Sequence, residues 1–260
     1  MSDPTPPDIE AKWRQLLLEG HTIRWAHAVF RHLPCEPRCK LCHNPFGGIG
    51  GKIVGLFGFA PSPKNPNLCE ACCAKLPPGG AEIDIAVLFV DVRGSTRLAE
   101  RMSAKGYAEL MNRFYLVATR VLVKRDAIID KLIGDEVMAL FIPGIVGEHY
   151  RGQAARAATD LLKAFGYGSE GDPWLEIGVG VHAGQAFVGN LGADGMVDFT
   201  ALRDAVNTAS RLQGLAKGGD AVLGESVYAG IQDRHLGLPP QESTVEGRTE
   251  PVSIRTLRLK

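Results

Sequence analysis

Apolar and polar positions alternate in ways that predict most elements of the second two-thirds of the chain. Residues 83–90 (Ile83-Asp84-Ile85-Ala86-Val87-Leu88-Phe89-Val90) form a nearly unbroken apolar run, the pattern of a strand covered on both faces. Residues 97–124 place Leu98, Met102, Leu110, Phe114 and Val117 near the helical period. Residues 127–131 and 136–142 predict two strands joined by a turn at Gly134-Asp135. Residues 150–165 read as an Ala-rich helix, residues 174–182 and 185–191 as a second hairpin turning at Ala183-Gly184, and residues 201–216 as a helix. Short strand and turn segments complete the chain. Hairpins separated by helices predict an α+β fold.

The first third differs. Residues 1–34 begin Pro-rich and polar, then carry Ile9, Trp13, Leu16, Leu17, Ile23, Val29, Phe30 and Leu33 at helical spacing, with a break at Gly20. This predicts an amphipathic helical segment packing on the rest of the protein or on a second copy. Residues 35–80 are rich in Gly and Pro and hold every cysteine, with few long apolar side chains. Such a segment builds little core alone and needs a staple. Leu76-Pro77-Pro78-Gly79-Gly80 reads as a linker. The predicted organisation is therefore a helical segment (1–34), a Cys-rich module with linker (35–80) and a larger α+β domain (81–260).

Charge narrows the function. Lys plus Arg and Asp plus Glu each number 29, so no bulk positive charge favours nucleic acid or an anionic membrane surface. No apolar run approaches the roughly 18 residues of a membrane span; the longest candidate, residues 45–61, contains Lys52 and six glycines. The N-terminus lacks the basic and apolar regions of a secretory signal. The expectation is a soluble, cytoplasmic protein with no nucleic-acid partner and no membrane span.

In a reducing compartment, clustered cysteines point to metal more than to disulfides. Cys39-x2-Cys42 and Cys69-x2-Cys72, separated by 26 residues, supply four thiolates for one tetrahedral site. Cys35 and Cys73 complicate the ligand choice, and His43 is a further candidate. Zn²⁺ and an Fe–S cluster both suit such ligands, so the sequence leaves the metal open. Gly48-Ile49-Gly50-Gly51-Lys52-Ile53 lacks the pattern of a phosphate-binding loop and reads as a tight loop around the metal site.

A second chemistry lies downstream. Asp91 ends the apolar strand and precedes Gly94-Ser95-Thr96 at a predicted helix start, where backbone N–H groups can meet phosphate, although Ser95 and Thr96 would serve equally as helix caps. Asp135 sits in the tip of the following hairpin. Two carboxylates at adjacent strand ends beside a phosphate-ready helix start form a two-metal site for phosphoryl transfer. Asn207 and Arg211, spaced i, i+4, share a helix face. Such an Arg can neutralise charge on a transferring phosphorus.

Together, Phe89-Val90-Asp91-Val92-Arg93-Gly94-Ser95-Thr96, Lys131-Leu132-Ile133-Gly134-Asp135, and Asp198-Phe199-Thr200 with Val206-Asn207-x3-Arg211 resemble the class III adenylate and guanylate cyclase catalytic domain over about residues 82–260. The resemblance implies that family's ferredoxin-like βαββαβ core. It implies that Asp91 and Asp135, with the Val92 carbonyl, hold two Mg²⁺ or Mn²⁺ ions and that Gly94, Ser95 and Thr96 meet phosphate. It makes Lys131 and Thr200 the base-recognition pair, with a Lys–Thr pair resembling adenine selection, and Asn207 and Arg211 the transition-state pair. In that family the site forms between two catalytic domains. One copy of this chain carries both sets, so the resemblance implies a homodimer that converts ATP to cyclic AMP and pyrophosphate. Two positions depart from the family: Arg203 stands where Gly is common, and Glu246 where a phosphate-contacting Lys often precedes Gly. His182 reads as structural. A guanylate cyclase and a catalytically silent nucleotide-binding module remain as alternatives, with the Cys-rich module as a possible regulatory input.

Overall fold

The computed structural model describes residues 7–20, 37–193, 196–231, 237–244 and 251–259. The helices are α1 (Pro7–Glu19), α2 (Gly48–Val54), α3 (Glu70–Ala74), α4 (Ser95–Arg101), α5 (Ala104–Lys124), α6 (Pro143–Val146), α7 (Tyr150–Ala164), α8 (Asp204–Leu215) and α9 (Glu225–Tyr228). The strands are β1 (Gly79–Val92), β2 (Ile128–Ile133), β3 (Glu136–Phe141), β4 (Ile177–Ala193), β5 (Met196–Leu202), β6 (Asp220–Gly224), β7 (Gln241–Ser243) and β8 (Val252–Arg258).

One sheet runs in the order β2-β3-β1-β4-β6-β8-β7, with β5 paired to β4. The β4-β1-β3-β2 portion is antiparallel throughout. With α5 crossing from β1 to β2 and α7 from β3 to β4, it forms the expected ferredoxin-like βαββαβ core of an α+β fold.

β1 is apolar on both faces because both are covered. Ala86, Leu88, Val90 and Val92 face Phe114, Ala118 and Leu122 of α5 and Leu161 and Leu162 of α7. Ile83, Ile85, Val87 and Phe89 share the opposite core with Trp13, Leu16 and Leu17 of α1, Ala205 and Ala209 of α8, and the four CxxC cysteines. The cysteine module thus completes a core that it could not build by itself. Trp13 is fully buried, stacks on Phe199 at 6.0 Å and donates its indole N–H to Pro78 O at 3.4 Å. Burying a side chain of this size contributes about 2–3 kcal/mol. Gly20, in the left-handed region (φ 77°), stops α1 where the sequence predicts a break. Residues 21–36, including Cys35, lie outside the described residues.

Four local expectations are corrected. The predicted hairpin turn at Ala183-Gly184 does not exist: β4 runs straight through it, pairing Ala183 with Ala86 and Gly184 with Ile85. Its glycines serve close approach instead; a Cβ on Gly180 would lie 2.1 Å from the Gln213 nitrogen of α8. The predicted helix over 97–124 is two helices. Ser103 caps α5 by accepting a hydrogen bond from the Gly106 N–H at 3.1 Å, breaking the run at Met102. The supposed linker at 76–80 is fastened: Asn190 Nδ2 donates to Leu76 O and Pro77 O, and Gly79 and Gly80 begin β1. Residues 48–54, read as a loop, form helix α2.

Candidate active site and cysteine cluster

The β1 end and the β2–β3 turn place Asp91 and Asp135 side by side. Gly134 takes the left-handed conformation (φ 60°) that this tight turn needs. The Val92 N–H donates to Asp135 O at 3.1 Å, and the Tyr115 hydroxyl donates to Gly134 O, fixing the tip against α5. Asp91 Oδ2 accepts from Arg93 Nη2 at 2.7 Å and from Gln213 Nε2 at 3.0 Å. Burial pushes the Asp91 carboxyl up to about 7, the Arg93 guanidinium opposes that, and Asp135 adds to it. Burial also raises Glu136. Converging carboxylates suit a divalent cation, and among the described residues Arg93 takes part of that charge-compensating place.

Helix α4 starts immediately afterwards. Gly94 is its N-cap at φ 69°, with no side-chain cap, and Ser95 and Thr96 form the first turn. Neither hydroxyl takes the capping role that the sequence allowed, so the first-turn N–H groups receive no bond from a capping side chain.

Lys131 of β2 and Thr200 of β5 meet through their side chains, although the two strands are not paired in the sheet. Lys131 Nζ donates to Thr200 Oγ1 at 2.7 Å, and Thr200 Oγ1 donates to Asp130 Oδ2 at 2.7 Å. Asp130 is 1% exposed, and burial raises its carboxyl despite the Thr200 hydroxyl and the Lys131 charge. It lies where the β2–β3 register shifts between Ile129 and Lys131, so the bulge turns its side chain towards Thr200. The sequence motif contains Asp130, but alternation alone does not reveal its role. Asp198 also approaches this pair, with Oδ2 3.9 Å from Lys131 Nζ.

Asn207 and Arg211 lie on the outer face of α8, Asn207 exposed and Arg211 half-buried, while Thr208, Ala209, Leu212 and Gln213 form its buried face. Among the described residues, no hydrogen bond or ion pair links Asn207, Arg211, Lys131 or Thr200 to Asp91 or Asp135. Within one chain, these two groups of residues are therefore not bonded to each other. Gln213 escapes notice in the sequence because nothing local distinguishes it from a helix-surface glutamine. Arg203 adopts φ 95°, ψ −166° and pairs with Glu82 at 2.6 Å. Glu246 lies outside the described residues.

The cysteine cluster packs into the core that β1 shares with α1 and α8. Cys39, Cys42, Cys69 and Cys72 are all fully buried, and their sulfurs lie within 4.8 Å of one another. Cys39–Cys72 and Cys42–Cys69 are separated by 3.8 Å and 3.7 Å, against an edge of about 3.8 Å for a tetrahedron with Zn–S bonds of about 2.3 Å. The Cys69 N–H points at Cys39 Sγ (3.3 Å), and the Cys72 N–H at Cys69 Sγ (3.4 Å), donors that stabilise thiolate charge. Hydrogen bonds from its neighbours, Cys42 foremost, hold Cys39 well below the usual thiol range. Its proximity pushes Cys69 and Cys72 far above that range. All four could be thiolates together only with a cation among them. Cys73 is half-buried beside this group and outside it. His43 adopts φ 59° and donates its N–H to Cys39 O at 2.9 Å, closing the first CxxC turn through its backbone.

Comparison with known proteins agrees with the catalytic fold. Relatives include the adenylate cyclase of Anabaena cylindrica, 31% identical over 181 residues, covering 65% of this chain and 36% of that protein. The chain spans about a third of the length of the curated relatives it matches first. The solved structure of the adenylyl cyclase CyaB from P. aeruginosa superposes with a TM-score of 0.59 at 28% identity, covering 69% of this chain and 96% of that one. The guanylyl cyclase Cya2 gives a TM-score of 0.59 at 22% identity, covering 70% and 95%, a likeness of fold. No described helix is long and apolar enough to cross a membrane. Residues 81–255 match the family model described as the adenylate and guanylate cyclase catalytic domain, and the chain belongs to that family.

Proposed function

We propose that this protein is an adenylate cyclase that acts as a homodimer, converting ATP to 3′,5′-cyclic AMP and pyrophosphate. The observation that carries the base assignment is the Asp130–Thr200–Lys131 chain. The Thr200 hydroxyl spends its proton on buried Asp130, so it accepts from Lys131 and cannot turn to donate elsewhere. Lys131 keeps further N–H donors, which suit the N1 acceptor of adenine and oppose the N1–H of guanine.

Asp91, Asp135 and the Val92 carbonyl would hold divalent Mg²⁺ or Mn²⁺, which when bound supplies charge for the triphosphate and lowers the pKa of the ATP 3′-hydroxyl. The Gly94-Ser95-Thr96 helix start offers N–H groups to phosphate. The 3′-hydroxyl gives its proton to water and its oxygen attacks the α-phosphorus, forming the new P–O bond as the bond to pyrophosphate breaks. Arg211 neutralises charge on the α-phosphoryl group and Asn207 orients the ribose. Because Asn207 and Arg211 face outward on α8, away from the carboxylates of their own chain, a second copy is the natural supplier of the missing half. In the cysteine cluster, Cys39, Cys42, Cys69 and Cys72 would hold a single structural ion, Zn²⁺ by geometry and ligand type. A multi-iron cluster needs its thiolates spread more widely.

The test is an assay of purified protein with ATP or GTP and Mn²⁺, reading cyclic nucleotide and pyrophosphate. Cyclic AMP formation from ATP that exceeds cyclic GMP formation from GTP and disappears in Asp135→Ala supports the reading. Preferential cyclic GMP would replace it by a guanylate cyclase, and no product from folded, metal-loaded protein would replace it by a silent nucleotide-binding module.

A further inference from the structure

Lys64 stands between the two CxxC units, outside the catalytic domain, yet its ammonium pairs with Asp198 Oδ1 on β5. The other oxygen of that carboxylate, Oδ2, lies 3.9 Å from Lys131 Nζ. Asp198 therefore has two lysines competing for it, one from the cysteine module and one from the base-recognition pair.

The segment presenting Lys64 is firmly anchored. It closes on itself through Ser62 N–H to Leu68 O (2.8 Å) and Leu68 N–H to Asn65 O (2.9 Å). Asn65 and Asn67 are buried. Asn65 Oδ1 accepts from the Ile129 N–H at 2.8 Å, at the β2 bulge. Asn67 Nδ2 donates to Val123 O and Ala127 O at 3.0 and 3.1 Å. On the metal side, the Lys40 N–H, inside the first CxxC turn, donates to Asn67 O at 2.9 Å. A continuous path thus joins the cysteine cluster to the strand that carries Asp130 and Lys131.

We propose that Lys64 is a positioning residue for recognition of the nucleotide base: by holding Asp198 it keeps that carboxylate off Lys131, so that the Lys131 ammonium remains available to an adenine ring nitrogen. The proposal rests on the adenylate cyclase reading above. Without Lys64, Asp198 moves the short distance onto Lys131, saturating a donor that the base requires. Both Lys64 and Asp198 are about half exposed (50% and 43% of their side chains), so water screens the pair and the effect is a few-fold rather than complete.

The test titrates wild type, Lys64→Ala and the double variant Lys64→Ala/Asp198→Asn with 3′-deoxy-ATP, which lacks the attacking hydroxyl, alongside steady-state kinetics with ATP. Lys64→Ala is expected to weaken 3′-deoxy-ATP binding about two- to fivefold and to raise KM for ATP by a similar factor, with kcat nearly unchanged. Removing the Asp198 charge in the double variant is expected to restore both values, which a merely misfolded loop would not do. Unchanged binding in Lys64→Ala, or a double variant as weak as the single one, overturns the role of Lys64 alone. A wild type that binds no 3′-deoxy-ATP overturns the cyclase reading and this role together.

Discussion

Gln213 Nε2 donates to Asp91 Oδ2 at 3.0 Å, from the buried face of the helix whose outer face carries Asn207 and Arg211. Under the proposed function, one helix thus serves two half-sites. In the proposed dimer its inner side steadies the Asp91 carboxylate of its own chain, and its outer side is offered to the second copy. Gly180 makes this possible, because any side chain there would collide with the Gln213 backbone.

Asp91→Asn is expected to reduce cyclic AMP formation by at least about 100-fold, since a neutral amide supplies no charge for the divalent ions, while the fold persists. Product formation within a few-fold of wild type would remove Asp91 from the metal site. Thermal unfolding of the same sample checks the fold.

The raised carboxyl of Asp91, at about 7, gives that experiment a pH signature. The unfolded carboxyl titrates near 4, so between about pH 4 and 7 the native metal-free protein holds a proton that the unfolded chain has lost. Native stability contributed by this group therefore falls as pH rises through that window and is flat above it. Asp91→Asn cancels the effect, so the Tm of the variant relative to wild type is expected to rise from pH 5 to pH 8. Cations compete with the same proton, so the acid limb of activity lies near pH 7 at low Mn²⁺ and shifts to lower pH as Mn²⁺ is raised. A limb insensitive to Mn²⁺ would exclude this proton competition.

Chelation or Cys72→Ser should act on folding before it acts on chemistry. The four sulfurs belong to the same core as Trp13, Ile85 and Leu140, and a structural site of this kind contributes its binding energy to folding. A loss of more than about 3 kcal/mol, restored by Zn²⁺ after chelation, is the expectation, read by thermal unfolding with metal analysis. An unchanged Tm in metal-stripped protein would deny the cluster a structural role.

Arg203→Gly should stabilise the protein. Arg203 occupies a backbone region (φ 95°, ψ −166°) that essentially only glycine visits, a strain of order 1–3 kcal/mol. Its exposed pair with Glu82 offsets about 1 kcal/mol at most. A gain of about 1 kcal/mol in denaturant unfolding is expected, and a loss would show that the ion pair outweighs the strain.

Much of the catalytic domain and of the cysteine cluster was legible in the sequence because their signals are local. The two-faced apolar run of β1, the Gly134-Asp135 tip and the CxxC spacings each state their geometry within a few residues. What escaped depends on distant partners. Ala183-Gly184 resembles a turn until α8 is known to press on that strand. Nothing within residues 97–124 outweighs the continuous helical period except Ser103 acting as a cap. Asp130 acquires its role from a bulge, and Lys64 and Asn65 from packing across the sheet.

The most direct test of the account mixes two silent variants, Asp91→Ala and Arg211→Ala, under conditions where subunits exchange, and measures cyclic AMP from ATP. If each site takes its carboxylates from one chain and its arginine from the other, each variant alone is inactive. In an equimolar mixture half of the dimers carry one intact site, restoring about a quarter of wild-type activity. A mixture that forms heterodimers yet makes no cyclic AMP would contradict the account.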